Sequence, residues 1–189
     1  MHVRYFIFIT LLINLLLIGC TNSTKQVKAL THKSSEAANR VINAEIIYSD
    51  SGHVRAKITA PIIEDYEGEK PYTEFKSGIL AILYDDDLKE TTRMSAKYAV
   101  KPNKKNYVEA RNNVIVINEK GDQLNTEHMI WDQERDKITS DAFVKIRTKD
   151  QIIFGQGLES NQSFSKYHIL RPTGFINLNV DNNDSTVTQ

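Results

Sequence analysis

Met94-Ser95-Ala96-Lys97-Tyr98, a polar turn at Pro102-Asn103-Lys104-Lys105-Asn106, then Asn113-Val114-Ile115-Val116-Ile117: on these residues the fold class turns. Both outer runs are five residues long and read with a period of two. An amphipathic helix needs ten or more residues with a period near 3.6, so these runs are strands. The Pro, Asn and Lys residues between them supply the backbone conformations of a tight connection.

The same shape recurs along the chain, which is the mark of a repeat architecture. First runs begin at Val54, Met94, Leu124 and Phe154, spaced by 40, 30 and 30 residues. Second runs follow at Gly78-Ile79-Leu80-Ala81-Ile82, Asn113 to Ile117, Ala142-Phe143-Val144-Lys145-Ile146 and Gly174-Phe175-Ile176-Asn177-Leu178. Alternate side chains of a strand point to opposite faces, so each run has an inner and an outer phase. In the first runs the inner phase holds Val54, Ala56, Ile58, Met94, Ala96, Tyr98, Leu124, Phe154 and Leu158, with His128 on the same phase. In the second runs Lys145 and Asn177 mark the outer phase, which leaves Leu80, Ile82, Ile115, Ile117, Val144, Ile146, Ile176 and Leu178 inside. About four antiparallel units with one apolar face each build an all-β fold, an open β-jellyroll or extended two-sheet sandwich. Its interior is long and apolar.

The 189 residues allow one such domain plus a leader. Lys and Arg together number 24, as do Asp and Glu, so nothing in the charge points to nucleic acid. A hydrophobic content of 40% supports a core. Cys20 is the single cysteine and excludes an intramolecular disulfide.

The neighbours of Cys20 give it a different role. His2 and Arg4 precede an apolar run from Tyr5 to Ile18, broken only by Thr10 and Asn14. That length fits a signal-peptide core and is short for a membrane span. It ends in Leu17-Ile18-Gly19-Cys20, which resembles the lipobox of bacterial lipoproteins. The resemblance implies cleavage before Cys20 and acylation (palmitate among the chains) of its sulfur and new amino group. Residues 1–19 are then a signal peptide, 20–39 a polar tether, 40–180 the β domain and 181–189 a disordered tail. A turn of helix is expected at Ala37 to Ile42.

The words Phe154-Gly155-Gln156-Gly157-Leu158-Glu159-Ser160 and Gly174-Phe175 resemble the LptC family of lipopolysaccharide transport proteins. Met94 to Tyr98 and Val108-Glu109-Ala110-Arg111-Asn112-Asn113-Val114 are similar to earlier repeats of that family and of its LptA relatives. The resemblance spans Asn43 to Leu178. It implies an open β-jellyroll whose inner-phase residues bind the acyl chains of lipopolysaccharide. It also implies a place on the periplasmic face of the inner membrane. There the protein would take its cargo from the membrane subunits of an ABC transporter and pass it to an LptA-like bridge. Family members commonly keep an uncleaved membrane helix, whereas this chain carries a lipid-anchor signal, which leaves an outer-membrane address open. The last strand, Gly174, Phe175, Ile176, Asn177 and Leu178, is the expected docking edge, since an unclosed sheet ends in unpaired backbone groups.

Other readings of the same residues are blander. His2, His32, His53, His128 and His168 are scattered without ligand spacing, so no metal or other cofactor is expected. His128 reads as a polar residue at the trough mouth. Asp85-Asp86-Asp87 reads as a solvated turn. Gly155 and Gly157 read as a close backbone approach or a bulge. Trp131 packs in the core or lies beside a lipid, and both remain open. No nucleophile–base arrangement supports an enzyme. The alternative to a lipid conduit is a scaffolding envelope lipoprotein with a closed sandwich, in which the inner phase is ordinary core.

Overall fold

β-Branched and aromatic residues at alternate positions favour extended backbone, and the computed structural model, which describes residues 36–178, is β throughout. Eleven strands follow one another: β1 (Asn39–Asp50), β2 (His53–Tyr66), β3 (Tyr72–Phe75), β4 (Ile79–Tyr84), β5 (Glu90–Ala96), β6 (Tyr98–Pro102), β7 (Tyr107–Asn118), β8 (Gln123–Asp132), β9 (Lys137–Arg147), β10 (Gln151–Asn161) and β11 (Tyr167–Asn177). Seven of the eight runs read from the sequence lie in or at an edge of a single strand, and the eighth, Met94 to Tyr98, ends β5 and begins β6. No helix occurs among the described residues, and the turn of helix expected at 37–42 is instead the start of β1. Cys20, the leader, most of the tether and the tail lie outside the described residues.

All pairings are antiparallel and form one sheet, with β1 and β11 at its ends. The sheet is folded on itself. β2 pairs with β4 through Ala56 to Thr59, then with β3 through Glu64 to Tyr66. β7 does the same, pairing with β6 up to Arg111 and with β5 from Ile115 onward. Each long strand therefore runs through a front half-sheet, the one holding β3 and β6, and a back half-sheet, the one holding β4 and β5. The interior lies between the two halves, as the open jellyroll requires.

The corner between the halves is written in the backbone. Asn43, Gly78, Asn112, Asn113 and Gly157 have positive φ there, a conformation that asparagine and glycine tolerate best. Register shifts fall at the same level in β7, β8 and β10. Gly155 is also required by space, because a Cβ would overlap the Ile169 side chain and come within 2.8 Å of the Arg171 carbonyl. Both glycines thus serve the bulge and close approach that their place in a strand implied.

The interior is unevenly filled. Toward the C terminus it is closed by Leu124, Ile138, Val144, Ile146, Leu158 and Phe164, none of them exposed. Toward the N terminus small side chains predominate: Ala56, Ala60, Ala81, Ala96, Ala99 and Ala110. Polar Asp85 caps the β4–β5 turn, its carboxylate accepting from the amides of Asp87 and Lys89 at 3.0 and 2.9 Å. The Asp85 to Asp87 run is that turn.

Candidate functional site

Alanines on the inner face leave room between the half-sheets, and a cleft opens there along the seam opposite the corner. One part, about 440 Å³, is lined by Ile46, Tyr48, Ile58, Phe75 and Val108, with Thr73, Lys101 and Gln133 at its rim. A second, about 600 Å³, runs on between Tyr48, Ala56, Leu83 and Trp131 under a rim of Asp50, Arg55, Glu134 and Asp136. The two share Tyr48, Gln133 and Glu134. Behind them a void of about 20 Å³ reaches the corner past Ala81, Ala96, Ala110 and Met129. The first part is mainly apolar and the second is lined about equally by polar and apolar groups, an arrangement that suits an amphiphile whose head stays in water.

The ends of the roll are open as well. On β1, Ile46 and Tyr48 stand opposite Ile58 and Ala56, so they face inward, yet they are 40% and 45% exposed. On β11, Phe175 stands opposite the inner residue Ile153 and is 66% exposed. Two end strands thus carry inward-facing hydrophobic side chains that the described residues cover only in part.

Charged groups brace the outer face. The buried Glu64 carboxylate receives Lys76 at 2.6 Å, Arg40 through Nε at 2.7 Å and the Tyr66 hydroxyl at 2.9 Å. Lys76 first, then Arg40 and Tyr66, hold Glu64 down at about 2, against a usual value near 4.5. Tyr98 is pushed up to about 12 by burial and by the Glu74 carboxylate that its hydroxyl donates to. Across three strands, His128 joins Asp141 through Nδ1 at 2.5 Å and Glu109 through Nε2 at 3.0 Å. Partial burial opposes its charge, but the two carboxylates prevail and its pKa is raised.

Of the inner-phase residues expected from sequence, Ala56, Ile58, Met94, Leu124, Val144, Ile146 and Leu158 are buried inside, and Val54 is half-buried on the same phase. Only Ala56 and Ile58 of these line the cleft. The others need correction. Ala81 and Leu83 are the buried phase of β4, so Leu80 and Ile82 face outward; Val114 and Val116 are buried in β7, so Ile115 and Ile117 do too. Tyr98 and His128 are turned out by the corner, which makes Ala99, Met129 and Trp131 the inward residues beyond it. Phe154 stands opposite Lys145 on the outer side. Ile176 stands opposite outward Ile152 and is exposed, as is Leu178 just past β11. Gly174 stands opposite Phe154, hence outward, with open space where a Cβ would be. Trp131 is core and cleft wall at once.

Sequence reasoning missed Ile46, Tyr48, Phe75, Leu83, Val108 and Met129. The run Ile46-Ile47-Tyr48 carried a strand signal but no matching partner run, so a search for repeats passed over it.

Among known families, the model described as lipopolysaccharide-assembly, LptC-related, matches residues 5–173, and the chain belongs to that family. No curated protein sequence matches it. Membership assigns the chain to lipopolysaccharide transport, a bridging rather than a catalytic task.

Proposed function

We propose that this LptC-family protein accepts lipopolysaccharide from the membrane subunits of an inner-membrane ABC transporter. It then passes the cargo to an LptA-like periplasmic protein, with the acyl chains held in the cleft between the half-sheets. The observation that carries the reading is the cleft between the half-sheets, about 440 and 600 Å³ in its two parts. Its first part is mainly apolar, its lips are polar, and it is continuous with partly covered inward-facing residues at β1. Each buried CH₂ contributes on the order of 0.8 kcal/mol, so a few covered acyl chains repay extraction from a bilayer without any specific polar contact. An open seam leaves the sugar head in water.

In this reading the β1 end, with Ile46 and Tyr48, faces the extractor, and the free edge of β11 from Gly174 to Asn177 takes the partner's strand. Unpaired backbone groups on such an edge favour strand addition. Cys20 is the lipid attachment that keeps the domain at the periplasmic face of the inner membrane.

The test is ordered transfer in inner-membrane vesicles that hold the transporter, this chain and the LptA-like protein. ATP should bring lipopolysaccharide adducts first to this chain and then to the partner. Transfer to the partner at the same rate with this chain omitted contradicts the reading.

A further inference from the structure

Where β10 turns into β11, the loop 162–166 leaves the front half-sheet and crosses the seam. Phe164 projects from it into the interior and is wholly buried, against Tyr167 with ring centroids 5.1 Å apart. Core residues normally come from strands; this one comes from a connection. Its backbone sits at φ 50°, the left-handed region that a bulky side chain adopts only under constraint.

Among the described residues one hydrogen bond, from Asn118, ties the loop across the seam; those of Gln162 join it to the front half-sheet that it leaves. The Asn118 amide donates to the Phe164 carbonyl at 2.9 Å, and the Gln162 amide donates to the Asp136 carbonyl at 2.9 Å. Trp131 Nε1 reaches Gln162 at a long 3.4 Å. Within the loop, Asn161 binds Ser163 and Ser165, so the segment is tied to itself and can move as a unit. Opposite Asn118, the Thr92 hydroxyl is buried without a hydrogen-bond partner, a cost that water entering an opened seam would relieve. The cleft ends at this loop, since Gln162 and Ser163 form its wall. Beyond lie Leu158, Ile169 and the inward face of β11.

We propose that the 162–166 loop is a displaceable plug, with Phe164 occupying interior space that cargo acyl chains take on their way from the cleft toward β11. The inference rests on the lipid-carrying reading above and adds to it a closed state and an open one. In the closed state the C-terminal half is a filled core and the cleft is a dead end. In the open state the seam is continuous to Phe175.

Hydrogen exchange on the full chain tests this without any substitution. On saturation with lipopolysaccharide the amide of Gln162, which donates outside the loop, should lose protection, while those of Leu124 and Val144 keep theirs. Unchanged protection at the Gln162 amide overturns the plug. Two variants give an independent check with cis-parinaric acid, a fluorescent polyene fatty acid, as probe. Phe164→Ala empties the space; Asn118→Asp, made together with Asp122→Asn so that the two side chains still pair, removes the bond to the loop carbonyl without making a cavity, and remains informative if the first variant does not fold. Both should bind the probe about fivefold more tightly or better, since apparent affinity scales with the open fraction. Affinity equal to or below that of the native chain in the folded variants overturns the plug and leaves lipid carriage standing. No binding of probe or lipopolysaccharide by the native chain and both variants overturns lipid carriage itself.

Discussion

Lys76 reaches back from the β3–β4 connection to the Glu64 carboxylate, 2.6 Å away, and Arg40 of the end strand β1 grips the same carboxylate from the other side. This one acid links β1 to the β3–β4 connection, beside the backbone ladder that pairs β1 with β2.

The Glu64 carboxyl is lowered from near 4.5 to about 2 in the folded chain, so its contribution is complete above the unfolded value and is lost as pH falls through the folded one. Thermal melts should show the native chain losing stability between those two values. Glu64→Gln should melt lower at neutral pH, and the gap between the two should close in acid. Parallel curves over the whole range would assign the network no role in holding β1.

His128 gives a dependence of opposite sign. Asp141 and Glu109 raise it above 6.5 in the folded chain, so its contribution is present below that value and is lost as pH rises through the raised one. Melting temperature should decline as the buffer moves from mildly acidic to mildly alkaline, and His128→Gln should flatten that decline. An equal slope in the variant would mean that other groups set it.

Gly155 lies under β11, with the Arg171 carbonyl 2.8 Å from where a Cβ would stand. Gly155→Ala should cost about 1–3 kcal/mol in urea unfolding, the range for forcing atoms into a packed site. Gly174→Ala, on the same ladder with open space around it, should be near neutral. Equal effects would place the close approach elsewhere.

Phe175 is two-thirds exposed and faces inward on the end strand, so Phe175→Asp should leave the fold intact. Binding of an LptA-like partner should weaken at least about tenfold, as expected for an anchor at the centre of an interface. Titration calorimetry with the partner at native affinity would move the junction to another edge.

The strands were legible, and the facing of their side chains was legible only in part: Ala56, Ile58, Leu124, Val144 and Ile146 point in as expected, Leu80, Ile115 and Phe154 do not. All eight alternating runs became strands because β-branched residues between Gly, Asn and Pro leave few other conformations. In β4 and β7, however, Ile79 to Leu83 and Val114 to Ile117 are apolar on both phases, and alternation then carries no facing information. Elsewhere the corner inserts an extra residue. Leu124 and Thr126 point in, and beyond the register shift Met129 and Trp131 do; Ile153 and Gly155 point in, and beyond Gly157 Leu158 and Ser160 do. A period counted straight through such a bend puts Tyr98, His128 and Phe154 on the wrong face. The asparagines and glycines at the bend were visible, but their meaning depends on long-range pairing that sequence does not show. The cleft was hidden for the same reason: its walls come from strands that only long-range pairing brings together, with Ile46 on β1, Ile58 on β2, Phe75 on β3 and Val108 on β7.

The claim on which the rest depends is that acyl chains lie between the half-sheets. Photo-crosslinking amino acids at Ile58 and Phe75, which line the cleft, and at Ile115 and Lys145, which face out, test it directly. In cells, the first two should capture lipopolysaccharide and the last two should not. Capture at all four positions, or at the outer pair alone, would contradict the account.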